Sequence, residues 1–311
     1  MLALCVAGAA LSVVTPHSVA FSVDEQSGAY SLAVDGETWY ESSPPTVCIA
    51  GELKKLRLVS AAAASGSDGI GDWKGPTLTL AAAPAHAVAM AITFKHYVRM
   101  PNVSVATATF PAGLATAGCG SNVDLSTSFP AFRTQAGRAS SLHTLSWRGQ
   151  VLSNTAASMG LGALNASGLD CGPVVSTEPS TGTTLVWSTL TSHKILPQRT
   201  TLDTYAMGLS ASIPSIPPNY SYSVVFTASG AKGATAAMYE WGSLMKAYHK
   251  TARSPSVTLT DIGYYTDDGA YYYVWEAFGI PARPWPAEEG LIKVKEQLHR
   301  SGVPVAYMQL E

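Results

Sequence analysis

The chain has 311 residues, 13% of them charged, and a formal net charge of −2. It carries no basic footprint for nucleic acid and no cationic run aimed at an anionic surface. Its length accommodates one large domain or two ordinary ones, and a low-charge composition rich in Ser, Thr, Ala and Gly suits an extracellular β-protein better than a cytosolic α/β enzyme.

The first twenty residues, MLALCVAGAALSVVTPHSVA, contain a thirteen-residue apolar run from Leu2 to Val14 that Pro16 breaks. That run is too short for a membrane span, which needs about 20 residues. Ser18 and Ala20 are small residues at the −3 and −1 positions of a cleavage site, so residues 1–20 read as a secretory signal peptide. The usual basic start is missing, because the first Lys is Lys54. Three of the five asparagines, Asn102, Asn165 and Asn219, stand in Asn-x-Ser contexts and are candidate N-glycosylation sites of a glycoprotein. Both signals point to secretion or to an endomembrane lumen. Cys5 would leave with the signal. Cys48, Cys119 and Cys171 allow one disulfide plus a free thiol, or a bond to another chain. No Cys or His spacing suits a zinc site, and no metal or other cofactor is expected.

Residues 21–230 read as a large antiparallel β-sandwich. "AYSLAVDGETWYES" holds two β-rich runs around Asp35-Gly36, a two-residue hairpin signal. "PTLTLAAA", "AVAMAITFKHYV", "VSVATATF", "TTLVWSTLT" and "YSYSVVFTA" are further strands separated by Gly, Pro, Asn and Ser. "GSDGIGDWKG" and "GLGALNASG" are rich in glycine but lack the Lys-Ser/Thr of a phosphate loop. The seven histidines form no local catalytic or metal pattern.

A linker segment, residues 231–256, carries a helix over 234–251. Met238, Trp241, Met245 and Tyr248, widened by Ala237 and Leu244, make one apolar face, and Lys246 and Lys250 suit its C-terminal end. Residues 257–311 then read as strand, loop, helix and strand. "SVTLTDIGYYT" is the first strand, "AEEGLIKVKEQLHRSG" a helix closed by Gly302, and "VPVAYMQLE" the second strand. Such a β-α-β unit implies parallel pairing and a right-handed crossover. It opens a (β/α)8 barrel that the chain is too short to complete, since a barrel takes about 250 residues. The fold class expected is therefore multidomain α+β, and the barrel is expected to be truncated.

The stretch "DIGYYTDDGAYYYVWEAFG" gathers five tyrosines, Trp275, three aspartates and a glutamate at the end of that first strand. Carboxylates accept hydrogen bonds from sugar hydroxyls, and flat aromatic faces cover the apolar face of a pyranose. Asp267, Asp268, Tyr271 and Trp275, with Glu311 at the end of the second strand, are the candidate substrate-binding residues. The expected partner is a carbohydrate substrate or glycan. A tyrosine-rich domain interface, with Asp-Asp-Gly as a plain turn, uses the same residues without a ligand.

The order of sandwich, linker helix, "LTDIGYYTDDGAYYY", helix and "GVPVAYMQLE" resembles retaining glycoside hydrolases of the α-galactosidase, raffinose-synthase and α-glucosidase type. The resemblance lies best over residues 258–311. It implies a catalytic (β/α)8 barrel acting on α-glycosides through a covalent intermediate, with Asp267 and Asp268 near the innermost sugar. Glu311 stands where such enzymes carry Asp. Their nucleophile and acid/base come from later strands, so no catalytic residue is assigned and the chain as given is expected to be inactive. The alternative is a non-catalytic glycan-binding β-sandwich protein; a purely structural sandwich would need neither the carboxylates nor the aromatics.

Overall fold

Strand-forming segments pair as their alternation predicts. The computed structural model describes residues 17–82, 88–121, 124–148, 154–164, 169–170, 172–265 and 287–309. They divide into two units, Met1–Lys250 and Thr251–Glu311. In the first, ten antiparallel strands form one sheet. Its spatial order is Asn154–Met159, His143–Arg148, Val174–Thr177, Thr184–Thr189, Tyr220–Ser229, Met100–Phe110, Val88–Tyr97, Asp72–Ala82, Glu52–Ser67 and Thr46–Ile49. A three-stranded sheet (Val19–Val23, Tyr30–Val34, Glu37–Glu41) and a four-stranded sheet (Ala131–Arg133, Thr204–Met207, Pro197–Thr200, Leu169–Asp170) supply the facing layer. Asp35 and Gly36 make the expected turn, with Val34 opposite Glu37.

The core lies between these layers. In the Tyr220–Ser229 strand, Tyr222, Val224, Phe226 and Ala228 point into it. The alternate residue Val225 packs on the other face, with Tyr97, Val103 and Leu190. Trp187 stands at the centre, directly opposite Phe226 in the sheet register. The buried tyrosines are tied to backbone. Tyr30 donates to the Ala131 carbonyl at 3.1 Å and accepts from its N–H at 3.0 Å, and Tyr222 donates to the Phe129 carbonyl at 2.7 Å. Burial pushes the Tyr30, Tyr40, Tyr205 and Tyr222 hydroxyls well above the usual tyrosine range. Cys48 pairs with Cys119 in a disulfide.

Helix α1, Gly233–His249, matches the predicted segment closely. Its stripe covers the outer face of the large sheet: Trp241, Leu244, Met245 and Tyr248 pack on the Val103–Val225 cluster, and Ala237 is buried beside Val175 and Val186. The Trp241 indole N–H donates to Ser188 Oγ at 2.9 Å. Lys250 caps the end in the left-handed region.

The glycine-rich "GSDGIGDWKG" is the tip of the hairpin joining Glu52–Ser67 to Asp72–Ala82. Asp68 there accepts from Lys95 Nζ and Tyr97 Oη, both at 2.9 Å, and from the Ile70 N–H at 3.0 Å. Lys95 also lies 4.9 Å from the Trp73 ring centroid. Burial works to raise the Asp68 pKa, but the Lys95 ammonium and the two neutral donors outweigh it and hold the carboxyl below its ordinary 3.8. A depressed carboxylate stabilises the fold above its unfolded pKa and loses that contribution as pH falls through the folded value. Asp68→Asn is therefore expected to cost about 1–2 kcal/mol at pH 7. Parent and variant should converge in acid below that window. Urea midpoints at pH 7 and in acid check both halves, and an equal gap at both pH values would contradict the ion pair.

Candidate functional site

In the unit Thr251–Glu311, the segment Val257–Thr260 departs from the expected strand. It forms a single helical turn, α2. Ser256 caps it by accepting from the Thr258 N–H, and the Thr260 hydroxyl returns to the Ser256 carbonyl at 3.3 Å. These local hydroxyl bonds override the β-preference of Val and Thr. The strand proper is Ile262–Tyr265.

That strand pairs in parallel with Val305–Gln309, placing Tyr264 opposite Met308 and Tyr265 opposite Gln309. Helix α3, Ala287–Arg300, lies between them in sequence. Its first turn carries Glu288 and Glu289 and its last His299 and Arg300, as the helix dipole favours. It ends in a Schellman arrangement. The Val303 N–H reaches the Leu298 carbonyl at 2.9 Å and the Gly302 N–H reaches that of His299 at 3.0 Å. Gly302 has φ 73°, so the predicted C′ glycine takes its role. Gly263 has a different reason to be glycine: a Cβ there would meet the Tyr307 ring at 2.2 Å. The Tyr307 ring lies against the neighbouring strand where a side chain would otherwise stand.

Parallel pairing brings the C-terminal ends of both strands, Tyr265 and Gln309, to one edge. Asp267 and Asp268 follow Tyr265 by two and three residues, and Glu311 follows Gln309 by two. All five predicted sugar contacts, Asp267, Asp268, Tyr271, Trp275 and Glu311, lie outside the described residues, as does the acceptor candidate Asn165. The other two acceptor candidates differ. Asn219 is exposed, with φ 62°, at the start of a strand. Asn102 is half-buried and its side-chain N–H donates to the Ala228 carbonyl at 3.5 Å. Among the described residues, no three His, Cys, Asp or Glu side chains gather as metal ligands would. No described helix is long and apolar enough to cross a membrane.

No family model matches the sequence, and no curated protein matches it either. Solved structures do. The quadruple mutant of the α-N-acetylgalactosaminidase NagBb from Bifidobacterium bifidum superposes with a TM-score of 0.55 at 12% identity, covering 95% of this chain and 51% of its own. The GalNAc complex of the same enzyme gives 0.52 at 13%, covering 96% and 51%. An α-galactosidase from Lactobacillus brevis matches with a TM-score of 0.41 at 12%, covering 86% and 37%. The chain has a glycoside-hydrolase-like fold and spans about half the length of the NagBb structures it matches.

Proposed function

We propose that the chain is a carbohydrate-active protein of glycoside-hydrolase type that recognises α-linked sugars at the strand ends Tyr265 and Gln309. The observation that supports this most is the fold likeness to an α-N-acetylgalactosaminidase along 95% of the chain. A parallel strand–helix–strand unit fits the opening of a (β/α)8 barrel, whose chemistry gathers at C-terminal strand ends. The carboxylates and aromatics of "GYYTDDGAYYYVW" and Glu311 stand in sequence immediately past those ends. Asp267 and Asp268 accept hydrogen bonds from sugar hydroxyls, and Tyr271 and Trp275 cover the sugar's apolar face. In a full-length protein of this type, hydrolysis or transfer of an α-glycoside would need two carboxyl groups about 5–5.5 Å apart. We propose a secreted protein, on the strength of the Cys48–Cys119 disulfide, which persists in oxidising compartments, and the exposed sequon at Asn219.

Calorimetric titration of the chain with N-acetylgalactosamine and with methyl α-galactoside tests the site. Asp267→Asn combined with Asp268→Asn is expected to weaken the tighter binding phase at least about tenfold, equal to about 1.4 kcal/mol. Absence of binding to either sugar, or a titration unchanged by the double substitution, would remove the reading. Release of nitrophenol from aryl α-glycosides by the same preparation would place the chemistry within this chain.

A further inference from the structure

A second polar site lies in the unit Met1–Lys250, between α1 and the sheet. The alternation of the Tyr220–Ser229 strand puts Val225 and, four residues on, Ser229 on the α1 side. Ser229 is 4% exposed, and its hydroxyl has no hydrogen-bond partner among the described residues. Buried hydroxyls are ordinarily partnered. Ser229 lines a groove of about 740 Å³, within the range of about 300–1,000 Å³ typical of small-molecule sites.

The rest of the lining narrows the ligand. Asn102 offers an amide that donates one N–H to the Ala228 carbonyl at 3.5 Å. Its remaining N–H and its carbonyl can serve a ligand hydroxyl. The charged side chains of the lining already have partners: Lys232 pairs with Glu240 at 3.0 Å, and the His17 ring lies 2.8 Å from the Asp35 carboxylate. An ionic ligand would have to displace one of these partners. A wholly apolar one would bury the Asn102 amide and leave Ser229 unpaired. Two aromatic rings flank the groove, Tyr248 and the 76% exposed Tyr239. A molecule with an apolar C–H face and hydroxyls at its edge satisfies every wall at once.

We propose that this groove binds a neutral saccharide of one or two sugar units, using Ser229 and Asn102 as hydrogen-bond partners and Tyr239 as the stacking face. This site does not depend on the loop after Tyr265, so the two readings fail separately.

The test uses the chain produced without N-glycans, so that Asn102 keeps its free amide, and carrying Asp267→Asn and Asp268→Asn to silence the loop. Titration with lactose and with methyl α-galactoside, followed by amide NMR, is expected to show saturable shifts at Ser229 and Gly230. Tyr239→Ala and Asn102→Ala are each expected to weaken that binding about tenfold or more. Tyr239 is exposed, so Tyr239→Ala should keep the parent melting temperature. Saturable binding that both substitutions leave intact would overturn the site, as would absence of shifts at Ser229 and Gly230 with either sugar. Either result leaves the loop reading to stand or fall on its own titration.

Discussion

Trp187→Ala is expected to cost about 3–5 kcal/mol, the range for emptying an aromatic from a packed interior. Trp187 is fully buried. It stacks on Phe226 with ring centroids 5.5 Å apart and planes 13° from parallel, and meets Tyr205 and Phe132 edge-on at 5.4 and 5.7 Å. Its strand, Thr184–Thr189, has neighbours on both sides, so the sheet cannot easily collapse into the space. For a unit of this size the loss corresponds to a fall in melting temperature of roughly 10 °C. Trp187→Phe provides the contrast. The indole N–H makes no well-aligned hydrogen bond and has only a weak contact with the Tyr40 hydroxyl, so phenylalanine removes little hydrogen bonding while leaving a smaller void. Its cost should be about 1–2 kcal/mol. Melting curves of the two variants check the pair, and a Trp187→Ala loss below about 1 kcal/mol would show that the core is not centred there.

Much of the local structure was legible because short-range rules set it. Asp35-Gly36 specifies its own hairpin, the Met238–Tyr248 stripe specifies the buried face of α1, and Gly302 terminates α3 through its own backbone. What escaped was set at longer range or by competing local bonds. The sixteen-residue strand Glu52–Ser67 runs through Ala61–Ala64, residues with weak strand preference, and leaves Leu53 and Val59 about half exposed. It is held along its length by pairing with Asp72–Ala82, which no local pattern announces. At Val257–Thr260 the β-branched composition pointed to a strand, but the Ser256 cap was the stronger signal.

The site divides the same way. Strand, helix and parallel strand were readable over residues 257–311, and so was the strand end that the acidic stretch follows in sequence. The groove under α1 was not, because Asn102, Ser229 and Tyr239 meet only through the pairing of Met100–Phe110 with Tyr220–Ser229 and the docking of the helix on them. One local signal was available. Tyr239 stands one position past Met238, on the flank of the apolar stripe, and a large aromatic left 76% exposed there is not used by the core. Conversely, the tyrosine concentration after residue 261 drew attention from Tyr30, Tyr40, Tyr205 and Tyr222, whose hydroxyls serve the core.

Loss of the Cys48–Cys119 disulfide should cost nearly as much as Trp187, by a different route. The bond spans 71 residues of sequence, with Cα atoms 6.0 Å apart. Constraining a loop of that length in the unfolded chain is worth about 4 kcal/mol. The loop contains four strands of the large sheet, from Glu52 to Phe110. The bond also pins Thr46–Ile49, the last strand of the large sheet, whose other side is bridged to Ser126, Thr127 and Ser128. Cys48→Ala with Cys119→Ala leaves the folded contacts almost untouched, so the effect falls on the unfolded ensemble, which expands. Urea unfolding separates the two routes, because the slope m follows the surface exposed on unfolding. Trp187→Ala should lower the midpoint at unchanged m, whereas the cysteine variant should lower the midpoint and raise m. An unchanged midpoint would show that the bond does not stabilise this fold. The expected loss is a large share of the whole stability of a typical domain, about 5–15 kcal/mol. A loss of that size would make the fold depend on an oxidising compartment, such as the secretory setting proposed above.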